Sequence, residues 1–317
     1  MHLPWLRPVW RNLLGDMQAG RLSHAHCICW QPELGSDRLL QQTVRLLLCL
    51  QPTTKACGSC KSCLLAAAGN HPDFYSLESI DDKVIGVDAV RDLISKLQNT
   101  ANQHGAKVAW VNHADRLSVT AANALLKTLE EPTVDTYFIL SPRRTGLLLP
   151  TLRSRMQLHQ ITSPTVAEAE QWLASQLGRV LSSDEVALIQ RYPQAPVSVY
   201  NWITADKFPR DCIADLTSAW FDDGPWPQPA KGDWPEWLAA SELILQDLIR
   251  LRQRLPQMRL RCGLISEQAQ HWLEQHNVNG DQLNQWLQSC YAMRRMLSEQ
   301  SGLNGPLLIE ELWSRWH

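Results

Sequence analysis

Between His26 and Ile161, five short apolar runs alternate with stretches of helical periodicity, and this alternation limits the possible folds more than any other feature. The runs are His26 to Trp30, Asp73 to Leu77, Lys107 to Asn112, Tyr137 to Ser141 and Met156 to Ile161. A helix between two strands carries the chain back to the end of the sheet where the previous strand began, so the strands pair in parallel and need helices over them. Three of the intervening stretches read as helices. Arg38 to Leu50 carries leucines at helical spacing, and Val87 to Ala101 is amphipathic. Val119 to Glu131 follows a Ser118 cap and stops at Pro132. The expected fold class is α/β, built on a five-stranded parallel sheet.

After Ser163-Pro164 the strand pattern ceases. Val166 to Leu177, Asp184 to Tyr192 and Val197 to Ile203 predict three short helices. From about Lys207, a Trp-Pro-rich connector (DDGPWPQPAKGDWPEW) leads to longer helices near Trp237 to Leu255, Glu267 to His276, Asp281 to Gln300 and Pro306 to Trp316. The pattern divides the chain into a sheet domain over 1–163, a small helical domain over 164–206 and an all-helical domain over 207–317. Many of the 14 tryptophans fall in the second half. Core packing accounts for them, with a subunit interface as the alternative.

Charge removes one class of function from first place. Lys+Arg 30 stand against Asp+Glu 32, without a basic run, which weighs against tight autonomous DNA binding. The apolar stretches are shorter than the roughly 20 residues of a membrane span, and MHLPWLRPVW lacks the apolar core of a signal peptide. A soluble cytoplasmic protein without a membrane partner is expected.

Four of the nine cysteines, Cys49, Cys57, Cys60 and Cys63, lie within CLQPTTKACGSCKSC. Four soft thiolates complete a tetrahedral zinc site and leave no position for water, so one structural zinc is expected. Cys49 would come from the end of the first helix and the others from a knuckle containing Gly58, inserted before the second strand. A dithiol redox centre or unrelated free thiols are the alternatives, but a redox pair leaves two thiols unexplained. His71, although close by, is not needed as a ligand.

The stretch CWQPELGSDR (29 to 38) joins the first strand to the following helix, the setting of a phosphate cradle. Its own residues leave open whether it is a nucleotide site, a damaged one or an ordinary turn.

Residues 107 to 132, KVAWVNHADRLSVTAANALLKTLEEP, resemble the Walker B strand and following helix of bacterial clamp-loader subunits. Together with the cysteine knuckle, HPD (71 to 73), GVDAVR (86 to 91), TLRSR (151 to 155) and SGLNGPLLIEEL (301 to 312), the chain looks like the delta-prime family of bacterial DNA polymerase III, within the AAA+ class. The resemblance implies an AAA+ ATPase-like module, a helical lid and a helical collar. It also implies a five-membered ring with gamma/tau and delta subunits, which loads the sliding clamp on primed DNA and is accessory to a DNA-directed DNA polymerase.

Laid on G-x-x-x-x-G-K-[ST], the loop has Trp30 for the first glycine, Glu33 for the middle glycine of AAA+ loops, Ser36 for the lysine and Asp37 for the magnesium-holding hydroxyl; only Gly35 survives. Two carboxylates therefore stand where phosphate needs positive charge. Each unit charge at about 4 Å is worth roughly 1 to 4 kcal/mol, depending on screening. Asn112-His113 replaces the family's Asp-Glu, which removes the metal-binding carboxylate and the base. These departures predict that this subunit binds no ATP and has no intrinsic catalysis.

Ser154-Arg155, followed by Met156 instead of the usual Cys, matches the Ser-Arg-Cys motif, and the resemblance gives Arg155 the role of an arginine finger acting in trans. A surface or salt-bridged arginine is the alternative, and Arg153 is harder to assign. In the NALLKTLEEP helix, Ala124, Leu125, Leu126 and Leu129 are expected to be buried, with Lys127, Glu130 and Glu131 in water. Lys127 and Glu131 are also candidates for an inter-subunit face. Two rival functions remain: an autonomous ATPase of the gamma/tau type, and a zinc-containing nucleic-acid binding module.

Overall fold

The computed structural model describes residues 3–79, 83–205, 212–222, 224–230, 233–253, 266–299 and 303–316. The five expected strands are present as β1 (Ala25–Ile28), β2 (Phe74–Leu77), β3 (Lys107–Asn112), β4 (Thr136–Ser141) and β5 (Gln157–His159). They form one sheet in the order β2-β3-β4-β1-β5, with every neighbouring pair parallel. Trp30 and Ile161, placed inside strands by their apolar character, lie just beyond the ladder.

Strand alternation explains why both faces need cover. Ile28, Val108 and Ile139 point into one core, with Leu13 of α1 (Arg7–Gln18) and Leu40 and Leu47 of α2 (Ser36–Leu48). Their sequence neighbours Cys27, Ala109, Phe138 and Leu140 point into another. That second core contains Val90 and Leu93 of α4 (Val87–Leu97) and Leu125 and Leu129 of α5 (Val119–Glu130). A short α3 (Lys61–Ala67) follows the cysteine loop, and α6 (Pro150–Arg153) precedes β5.

Some helix boundaries depend on distant groups. The Ser118 cap is present, with its Oγ accepting from the Ala121 N–H at 3.1 Å. Helix α4, expected to reach Ala101, stops at Leu97. The buried Lys107 ammonium donates to the Leu97 carbonyl at 2.5 Å and to the Asn99 carbonyl at 2.9 Å, satisfying oxygens that a longer helix would have used. Helix α1 was not expected, so α2, which delivers Cys49, is the second α-helix and not the first.

The described chain forms two compact units, 1–207 and 208–317. The first holds the sheet together with α7 (Val166–Leu177), α8 (Ser183–Arg191) and α9 (Pro196–Ala205). Capping boxes at Thr165/Glu168 and Ser182/Glu185 start α7 and α8. The second unit is all-helical: α10 (Cys212–Phe221), α11 (Trp234–Arg252), α12 (Ser266–Gln275), α13 (Gly280–Glu299) and α14 (Gly305–Trp313). Helix α10 was not expected and ends just before the quoted connector, and α11 begins inside that connector, at Trp234. The expected boundary at 206/207 and the expected helix ends at Leu255 and Gln300 lie outside the described residues.

Tryptophans build the core of the second unit. Trp220 stacks on Trp316 with centroids 4.9 Å apart, and Trp237 meets Trp313 edge-on at 5.6 Å. The Trp313 indole N–H donates to Ser241 Oγ at 2.9 Å. These contacts support the packing explanation for these residues. Among the described residues, no helix is long and apolar enough to cross a membrane.

Candidate functional site

The loop after β1 has the strand–loop–helix shape of a phosphate cradle, but three of its successive amides face inward. In such a cradle, successive backbone N–H groups point at the ligand. Here the N–H groups of Leu34, Gly35 and Ser36 donate to the carbonyls of Gln31, Pro32 and Gln31, at 2.9, 2.9 and 3.2 Å. Ser36, where a lysine would stand, is fully buried and accepts from the Gln31 N–H at 2.5 Å. Pro32 to Leu34 form a 3-10 turn, and Gly35 has a φ of 79°, which only glycine adopts without strain.

Apolar groups fill the space beside the loop. A Cβ on Gly35 would collide with the end of the Leu3 side chain and lie 3.6 Å from a Val197 methyl. The buried Trp5 donates its indole N–H to the Leu34 carbonyl at 2.8 Å and packs edge-on against Trp172 at 5.1 Å. Leu3, Trp5 and Val197 are absent from any reading of the loop alone. The only local signal for such a plug is Trp30 at the first glycine position. Glu33 and Asp37 are half-buried on the same turn.

The end of β3 is equally self-contained. Asn112 is buried and donates from Nδ2 to Glu78 Oε1 at 2.8 Å. Its Oδ1 accepts from the Ser141 hydroxyl at 2.9 Å and from the His113 N–H at 3.0 Å. His113 adopts a left-handed conformation, φ 49°, with its ring 5.7 Å from Trp30. The positions of the missing phosphate and metal ligands therefore lie beside each other, joined by an aromatic contact.

Ser154 and Arg155 occupy the turn between α6 and β5. The Arg155 Nε donates to Glu130 Oε1 at 2.6 Å, and its second terminal nitrogen lies 2.5 Å from the same oxygen. The other terminal nitrogen donates to the Thr151 carbonyl at 2.9 Å and to Ser154 Oγ at 3.3 Å. Glu130 closes α5, whose buried face is Ala121, Ala122, Leu125 and Leu129. Ala124 and Leu126, expected in that face, are only half-buried against the same core. Lys127 and Glu131 are exposed, and Arg153 is half-buried.

The four cysteines converge. Cys49 caps the end of α2, Cys57 follows eight residues later, and Cys60 and Cys63 flank the start of α3. Their sulfurs all lie within 4.8 Å of one another. Cys57 and Cys63 are 3.9 Å apart, close to the roughly 3.8 Å edge of a tetrahedron with zinc–sulfur bonds of about 2.3 Å. Backbone N–H groups support the sulfurs, from Cys57 to Cys49 at 3.2 Å and from Cys60 to Cys57 at 3.3 Å. The N–H groups of Cys60 and Ser59 pull the Cys57 thiol down to about 6, whereas burial pushes Cys63 up to about 12. This donor set can coordinate a metal. His71 is used elsewhere: Nε2 meets the Ser62 hydroxyl at 2.6 Å and Nδ1 accepts from the Asp73 N–H at 3.1 Å.

The fold and its loops define a class: a parallel α/β module with the outline of a nucleotide site, joined to helical elements and carrying a four-thiol knuckle. Residues 6–165 match the family model described as "DNA polymerase III, delta subunit". The DNA polymerase III subunit delta' of Escherichia coli (strain K12) is 35% identical over 335 residues, covering 98% of this chain and 94% of the relative. The Yersinia pestis subunit delta' is 47% identical over 172 residues, about half of each chain (54% and 51%). A solved DNA polymerase III gamma subunit-related protein from Thermotoga maritima is 17% identical, with a TM-score of 0.46 over 98% of this chain and 97% of that one. This chain belongs to the delta-prime family of DNA polymerase III, a family of clamp-loader subunits.

Proposed function

We propose that this chain is a non-ATPase member of a clamp-loader ring, assembling with delta and gamma/tau subunits to load the sliding clamp on primed DNA. The observation that carries this reading is the inward turn of the Leu34, Gly35 and Ser36 amides, which leaves those three groups unable to hold phosphate. Asn112 supplies no charge to a magnesium ion and already has partners on both ends of its amide. The subunit thus contributes no nucleotide chemistry of its own. Arg155 contributes instead to a neighbour's ATP as a finger in trans, with Ser154 beside it. Within this reading, 1–163 is the AAA+ module, 164–206 the lid and 207–317 the collar through which the ring assembles. Cys49, Cys57, Cys60 and Cys63 hold one zinc, which supplies a rigid crosslink for the knuckle and no Lewis-acid chemistry.

Reconstitution of the complete clamp loader with Arg155→Ala tests the function. ATP hydrolysis at the site that Arg155 completes should fall by on the order of 10³, with clamp loading lost and assembly by size-exclusion chromatography unchanged. Unchanged hydrolysis and loading in an intact complex would remove the arginine from the mechanism.

A further inference from the structure

The proposed finger has an anionic partner within its own subunit. Both Nε and one terminal nitrogen of Arg155 converge on Glu130 Oε1, and the other terminal nitrogen faces Thr151 and Ser154. These are the N–H groups that a phosphate oxyanion would need, since guanidinium binds phosphate through two parallel donors. In this arrangement the guanidinium cannot give that forked edge to another subunit without leaving Glu130. The pair is also open to water: the Arg155 side chain is 34% exposed and that of Glu130 48%. An ion pair this exposed is weak enough to be exchanged for a more highly charged anion.

We infer that Glu130 is a positioning residue that parks Arg155 against its own subunit, so that a neighbour's phosphate engages the finger by displacing a carboxylate. The inference rests on the proposed role of Arg155 in trans. Glu130 touches no substrate; it sets how readily the guanidinium is released. It would hold the finger away from the neighbour until the phosphate arrives, and so lower the rate of the assembled ring.

The test uses complete clamp loaders carrying Glu130→Gln, Arg155→Ala or both, with kcat and KM for ATP measured on each. Glutamine keeps the shape and removes the charge. The expected result is a kcat about two- to fivefold above wild type for Glu130→Gln, from loss of a half-exposed ion pair, with KM within about twofold because the finger acts on the transition state. In the Arg155→Ala background, Glu130→Gln should change nothing, as required of residues acting through one contact. A kcat for Glu130→Gln at or below wild type, while Arg155→Ala lowers it, overturns parking and leaves the finger standing. An equal gain in the Arg155→Ala background also overturns it, since Glu130 would then act elsewhere. No effect of Arg155→Ala in an intact complex removes the finger and this inference together.

Discussion

The loop at Trp30 to Asp37 and the turn at Ser154-Arg155 lie in the same compact unit and are held in opposite ways. The loop is closed by packing: Leu3, Trp5 and Val197 lie against it, and the amides of Leu34, Gly35 and Ser36 bond to its own carbonyls. The turn is held by polar contacts, the principal one an ion pair open to water. Where a phosphate site has lost its ligands, apolar burial can take over the space and add to stability. Where a charged group is still needed outside the subunit, burial would defeat it. Loss of a site and retention of a reach would therefore leave different physical traces.

The largest expected effect comes from a third region, where packing is thin and ligands remain. Leu50 and Leu64 of the knuckle are exposed, at 43% and 59%, so a metal held by the four thiolates would supply most of its cohesion. Freshly purified protein should contain about one zinc per chain by elemental analysis. Cys63→Ser should bring this close to zero and strip hydrogen-exchange protection from residues 49–67. A metal-free wild type would show that the knuckle is held by something else.

A smaller effect separates the two original regions. Trp5→Ala removes a buried indole and its bond to Leu34, and should cost about 3 to 5 kcal/mol in denaturant unfolding. Arg155→Ala should cost less than about 1 kcal/mol, in contrast to the large effect expected on the assembled ring. Equal costs for the two would erase the distinction between a site filled by core and a side chain kept for use elsewhere.

Much of this was legible in the sequence for identifiable reasons. The strands carry near-continuous apolar runs because both sheet faces are covered, and the cysteine spacing brings four sulfurs together through local turns. The missing lysine of the loop and the missing Asp-Glu at the end of β3 are visible as substitutions. Its plug is not, because Trp5 lies 29 residues from Leu34 in sequence and meets it only after folding. Helix α4 ends early where Lys107, from another element, takes its last carbonyl, that of Leu97. Helix α1 begins Arg-Pro, and proline suits a first turn. The Glu130 contact was hidden for a related reason: an acidic residue at a helix end reads simply as solvated.

The central claim, that this subunit has exchanged nucleotide chemistry for packing, is tested most directly by titrating the purified chain with Mg-ATP in a calorimeter. The account predicts no saturable binding up to about 1 mM, a free energy weaker than about −4 kcal/mol. Saturable binding with a Kd in the tens of micromolar would contradict it, because Leu34, Gly35 and Ser36 would then have to turn their amides outward.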